Sequence, residues 1–98
     1  MPILNAKQIS HLRALSHGLH PVVMVGNNGL SATVLKEIDV SLKAHELIKI
    51  KVFGDDRALR KQMLETICRQ LDAAPVNHIG KQLVVYRPAE PPKLILPG

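Results

Sequence analysis

The sequence predicts an α/β fold, a two-layer sandwich in which three helices cover a mixed sheet of about four strands, in the order α-β-α-β-α-β-β. Three observations carry that expectation. Apolar residues recur at helical spacing in three separate segments. Short runs rich in β-branched residues stand between those segments. Two further runs of that kind flank a glycine turn near the C-terminus.

Each element has its own signature. Asn5 can cap the first helix, with Gln8 placed to close a capping box. Ile9, Leu12 and Leu15 follow at helical spacing, with Leu19 one turn later. The helix should end near Gly18, because Pro21 prevents its continuation. Val22 to Val25 is a short apolar run that reads as a strand buried on both faces. Gly26-Asn27-Asn28-Gly29 ends it, and Ser31 is placed to cap the second helix. Val34, Leu35, Ile38 and Leu42 form that helix's apolar stripe, which stops near His45.

Ile48 to Val52 alternates strictly, so one face is aliphatic and the other carries Lys49 and Lys51. That pattern predicts a half-buried strand. Asp55 or Asp56 caps the third helix, whose buried face is Leu59, Met63, Leu64, Ile67 and Leu71. Lys61, Glu65 and Arg69 run down its opposite face at four-residue steps, which favours ion pairing among them. Pro75 ends this unit. Val76 to Ile79 and Leu83 to Tyr86 then form a hairpin about Gly80-Lys81. The β-α-β steps favour parallel pairing and the hairpin makes the sheet mixed. Sequence alone leaves the position of the first helix open.

The 98 residues are expected to form one domain, residues 1–98, with a loosely attached proline-rich tail from about residue 88. No apolar run approaches the roughly 18 residues that span a bilayer. The N-terminus lacks the pattern of a signal peptide, and Cys68 is the only cysteine. These features fit a cytoplasmic protein with no membrane partner, expected to be a monomer.

The net charge is +5 and the isoelectric point about 9.7. A basic domain of this kind favours a polyanionic partner. Phe53 and Tyr86 are the only aromatics, so a grip on nucleic acid should fall mainly on phosphate and sugar rather than on a track of stacked bases.

The sequence around residues 22 to 38 places a strand, a tight glycine loop and a helix N-terminus in succession. Unpaired N–H groups in the first helical turn, together with the positive end of the helix dipole, attract anions. Glycines let a phosphate approach the backbone without a Cβ in the way. Gly26, Asn27, Asn28 and Gly29 stand where that geometry would be built. A GxxG tetrapeptide in isolation is weak evidence, because an ordinary turn tolerant of positive φ uses the same residues. The loop lacks the Gly-Lys-Ser/Thr ending of a nucleoside triphosphate site and the GxGxxG dinucleotide fingerprint.

Three stretches, His20 to Leu30, His45 to Val52 and Ile79 to Arg87, together resemble the CRM domain family. This is the chloroplast RNA splicing and ribosome maturation module, here in its stand-alone bacterial, YhbY-type form. The resemblance runs from about Lys7 to Arg87. It implies a fold similar to the C-terminal domain of translation initiation factor three. It implies RNA binding through a GxxG loop, and association with ribosomal RNA in precursors of the large subunit. Some family members carry a basic residue inside the loop. This chain has Asn27 and Asn28 there, so positive charge at the site must come from neighbours.

Those neighbours are Lys36 in the second helix, Lys49 and Lys51 on one strand face, Lys81 at the hairpin tip and Arg87 at the strand end. Lys36, Lys49 and Lys51 read equally as solvated surface charges, and Lys81 and Arg87 are weaker candidates. Arg57, Arg60 and Lys61 face four acids within their own segment and read as solvating and helix-pairing. The five histidines show no metal pattern and Cys68 has no CxxC partner. No metal, cofactor or small-molecule substrate is expected. There is no GxSxG elbow, and Glu37, Asp39 and Glu46 lie near lysines that would lower their pKa rather than raise it. An enzyme is therefore not expected. Two alternatives remain open: a protein-interaction module for an acidic protein partner, and a DNA-binding domain, for which no recognition-helix motif speaks.

Overall fold

The computed structural model describes residues 2–98 and has the expected element order. Helix α1 is Ala6–Ser16, β1 is Pro21–Val25, α2 is Ala32–His45 and β2 is Leu47–Val52. Helix α3 is Arg57–Leu71, β3 is Ala74–Ile79 and β4 is Gln82–Tyr86. Among the described residues, no helix is long and apolar enough to cross a membrane.

The helix starts follow from side-chain caps. Asn5 Oδ1 accepts from the Gln8 amide at 2.8 Å, and Gln8 Oε1 accepts from the Asn5 amide at 3.0 Å, completing the capping box. Ser31 caps α2 by accepting from the Val34 amide, and Asp56 caps α3 by accepting from the Leu59 amide. Each bond satisfies an N–H that has no partner within its helix.

The sheet order is β1-β2-β4-β3. Strand β1 pairs with β2 in parallel, whereas β2–β4 and β3–β4 are antiparallel. The hairpin turns at Gly80, whose φ of +55° suits glycine. Helices α2 and α3 cover one face, where Ile38, Leu42, Leu64 and Ile67 pack on Val23, Val25, Ile48, Ile50, Val52, Leu83 and Val85. Helix α1, unplaced by sequence, lies on the other face. There Leu12 is fully buried with Leu47, Val76, Val84 and Tyr86.

That placement corrects two strand expectations. Strand β1 is not buried on both faces: Val23 and Val25 are buried, but Val22 is 49% and Met24 59% exposed. It is an edge strand, and α1 packs on β2 and β3 instead. Conversely, the lysine face of β2 is not open along its length. Leu47 to Ile50 are all buried, and Lys49 is only 8% exposed.

The proline-rich tail is also docked rather than loose. Leu94 and Leu96 join the α1-side core, and Gln8 Nε2 donates to the Pro97 carbonyl at 3.0 Å. Its anchor is Glu46, a buried residue between α2 and β2. The Glu46 carboxylate accepts the amides of Ala89, Lys93 and Leu94 at 2.8–3.0 Å. Burial pushes its pKa up, but these three donors and the charge of Lys93 outweigh it, and the carboxyl is held below its usual value. Glu46 sits at φ +63°, where a side chain is strained. The carboxylate bonds offset that strain. Composition could not reveal this, because the acceptor lies more than forty residues away in sequence.

Replacement of Glu46 by alanine should lower unfolding stability by roughly 3 kcal/mol, since charge-assisted hydrogen bonds contribute about 1.5–3 kcal/mol each and some will be replaced by water. Urea denaturation measures this; a loss below about 0.5 kcal/mol would mean that the tail is held by its leucines alone.

Candidate functional site

The ends of three connections meet at one end of the sheet. Register brings them there: Val25, the last residue of β1, pairs with Val52, the last of β2. The Phe53 amide donates to the Val25 carbonyl at 2.9 Å, and the Val52 amide to the Lys81 carbonyl at 2.7 Å. The Gly26–Gly29 loop, the Gly54 connection and the Gly80-Lys81 turn therefore share one edge of the molecule.

Within the first loop, the Gly29 amide donates to the Gly26 carbonyl at 3.1 Å and the Ser31 amide to the Gly29 carbonyl at 3.0 Å. Gly29 has φ +66°, so a side chain there would be strained. Gly26 is different. It lies outside the left-handed region, and a Cβ built on it meets nothing within 4 Å. Internal packing does not require glycine at position 26. Asn27 and Asn28 are exposed. The loop runs directly into α2, where Ser31 takes the Val34 amide and the amides of Ala32 and Thr33 have no intrahelical partner.

A groove lies between this loop and α3, lined by the loop itself, Phe53 and Gly54, and by Leu59, Gln62, Met63 and Thr66 of α3. Arg60 fixes its far wall. Its guanidinium is buried, donating from Nη1 to the Gly54 carbonyl at 2.9 Å and from Nε to His78 Nε2 at 3.3 Å. Arg60 is thus a structural tie, not the solvating residue expected from its acidic neighbours in sequence. His78 accepts as a neutral ring. Burial lowers its pKa, and the charges of Arg57 and Arg60 lower it further.

Comparison with known proteins places the chain. Residues 4–87 match the CRS1/YhbY (CRM) domain family. The chain belongs to that family. A Haemophilus influenzae relative named "RNA-binding protein" is 48% identical over 97 residues, spanning 99% of this chain and 98% of the relative. A Pseudomonas aeruginosa relative, named a probable RNA-binding protein, is 38% identical over 86% of this chain and 81% of its own length. The solution structure of a Staphylococcus aureus protein superimposes with a TM-score of 0.86 at 32% identity, covering 97% of this chain and all of that one.

In this CRM domain the residues expected to surround the loop are dispersed. Lys51 and Lys81 lie at the loop end of the sheet. The Lys51 ammonium stands 5.3 Å from the centroid of the Phe53 ring. Lys81 pairs at 3.2 Å with the exposed Asp55, a contact of little strength in water. Lys36 is exposed on α2 and lines a shallow depression with Val22, Thr33 and Glu37 along the outer edge of β1. Lys49 is farther up β2, in an apolar groove with Leu15, Leu19 and Leu94. Arg87 is at the opposite end of the sheet, next to Tyr86, which pairs with Leu47. Its guanidinium is occupied by Asp39 Oδ1 and the Leu71 carbonyl, both at 2.8 Å, and by the Asp39 carbonyl at 3.1 Å. That arrangement ties α2 and α3 to β4 and holds the Asp39 carboxyl below its usual range.

Lys61, Glu65 and Arg69 are exposed. The ion pairs among the described residues are Lys43–Asp39, Lys81–Asp55 and Arg87–Asp39, so the expected row on α3 is not one of them. Phe53, which lines the groove beside the loop, is not among the residues expected from sequence. Its alternation with Lys49 and Lys51 and its position just before Gly54 were the available signals.

The His78–Arg60 contact predicts a pH dependence. His78 has its folded pKa below the unfolded value of 6.5, so the unfolded chain takes up a proton first as pH falls. Stability should therefore decline from pH 6.5 downward until the folded pKa is passed. Thermal melts between pH 7.5 and about 5 should show this slope, and His78→Gln should flatten it. An unchanged slope in the variant would assign the effect to other groups.

Proposed function

We propose that this CRM domain binds structured RNA by its phosphate backbone at the Gly26–Gly29 loop, and that it acts in the cytoplasm as an assembly factor on ribosomal RNA in large-subunit precursors. The observation that carries the RNA reading is the loop itself: an exposed Gly-Asn-Asn-Gly turn, open at Gly26, feeding directly into a helix N-terminus with free amides. Lys51 and Lys81 at the same sheet end supply the charge that the loop lacks. The net charge of +5 favours the same partner. The names of the relatives support RNA as the ligand. The ribosomal assignment rests on the family resemblance.

Binding should depend steeply on salt. Neutralising about four phosphates gives a slope of log K against log salt of roughly −3 to −4. At one fixed salt concentration, Gly26→Val should weaken RNA binding about tenfold while leaving the melting temperature unchanged, because its side chain has room in the free protein and blocks only the ligand. Wild-type affinity in that variant would move the phosphate site away from the loop.

In a sucrose gradient at gentle salt, the protein should cosediment with large-subunit precursors. Confinement to the top of the gradient would remove the ribosomal part of the reading and leave the RNA contact to be judged by the affinity measurements.

A further inference from the structure

The groove beside the loop offers more than a phosphate site. Its floor and walls hold Phe53, Leu59 and Met63, and its polar groups include Gln62 and Thr66 on successive turns of α3. Phe53 is 48% and Leu59 47% exposed, so two large apolar side chains that could have been buried face water here. We propose that this groove receives a single unpaired nucleobase, so that the RNA element recognised is a bulged or looped-out nucleotide whose own phosphate lies on Gly26–Gly29. This rests on the reading of that loop as the phosphate site.

Four features point to this occupant. The groove is continuous with the loop, and a base is joined to its phosphate through one sugar, so a held phosphate delivers its base here. The lining is apolar with amide and hydroxyl groups among it, which matches a flat ring with a polar edge. The Lys51 ammonium stands 5.3 Å from the centroid of the Phe53 ring, so a positive charge lies beside the ring that lines the groove. Finally, the site is held in shape before any ligand arrives. The Phe53 amide is bound to Val25, Arg60 is bound to the Gly54 carbonyl, and Met63 lies under Gly29, its Cε 3.9 Å from where a Cβ would be.

The scarcity of aromatic residues sets the number of bases. One ring in one groove accommodates one base, not a strand. A base inside a duplex is covered on both faces by its neighbours and cannot enter. The groove therefore selects an unpaired nucleotide within otherwise structured RNA, while the loop and lysines alone would grip any backbone.

The chain has no tryptophan, so Phe53→Trp places a single tryptophan, excitable apart from Tyr86, in the groove of the intact protein. The probes are an RNA hairpin with one bulged nucleotide and the same stem fully paired. Binding of the bulged hairpin should quench the Trp emission of this variant, and binding of the paired stem should not. Phe53→Ala should lose about tenfold in affinity for the bulged hairpin, the scale of one stacked base, and little for the paired stem. Because Phe53→Ala also removes a ring next to β2, Gln62→Ala on the helix surface serves as the second variant, with a several-fold loss on the bulged hairpin only. Unquenched emission with RNA bound, or equal losses on both RNAs, would overturn the nucleobase site and leave the phosphate site standing. Failure of the wild-type chain to bind either RNA would overturn both.

Discussion

The register of β2 decides which side chains enter each core and which connections meet at one end of the sheet. This strand is parallel to β1 and antiparallel to β4, and it contributes to both cores. Ile48, Ile50 and Val52 face α2 and α3, and Leu47 faces α1. A one-residue slip would send the isoleucines to the α1 side and the lysines into the main core, so burial on both faces enforces the pairing. The same pairing brings Val25, Val52 and Lys81 level at one end. The glycine loop, Phe53 and the hairpin turn are neighbours because of it, although they are separated by more than twenty residues in sequence.

The two ends of β2 carry opposite demands. At its start, Glu46 and Arg87 are buried or half-buried charges whose partners are all within the chain. The Arg87 amide donates to the Glu46 carbonyl at 2.9 Å, so the clasp on the tail and the tie to Asp39 meet at one point. Charges so enclosed contribute order rather than affinity for a ligand. At the other end the lysines and Phe53 reach solvent, and the backbone there is held by amides and by Arg60. Fixing one end of a strand by enclosed charge allows the opposite end to leave polar groups open without loosening the sheet.

Much of this was legible in the sequence, and the failures have physical reasons. Element order, the three caps, the hairpin and the apolar stripes of α2 and α3 are local signals, carried by Asn5, Ser31, the Asp55-Asp56 pair and Gly80. The strand burial was misread for β1 and β2 because burial depends on where α1 packs, and Leu12 gives no hint of which sheet face it will cover. Arg60 and Arg87 looked like solvated or ligand-facing charges because their acceptors, the carbonyls of Gly54 and Leu71 and the side chain of Asp39, are defined only by the folded backbone. The loop was legible through its glycines, but the groove was not. It needs α3 to lie beside a loop some thirty residues earlier, and no periodicity encodes that approach.

The uncharged loop has a consequence for how affinity and discrimination divide. A loop with its own lysine would hold phosphate through a point charge, and salt would weaken every contact alike. Under the proposed reading, Asn27 and Asn28 leave the backbone amides to position the phosphate, with directional bonds of fixed geometry. On that same reading, charge from Lys51 and Lys81 then supplies attraction from a short distance away, and Phe53 with the α3 groove supplies selection. Raising the charge, for example by Asn27→Lys, would strengthen binding to every RNA while lowering the preference for any one of them. Internal packing does not require glycine at position 26, and the proposed phosphate site gives it a reason, since a backbone contact there needs close approach.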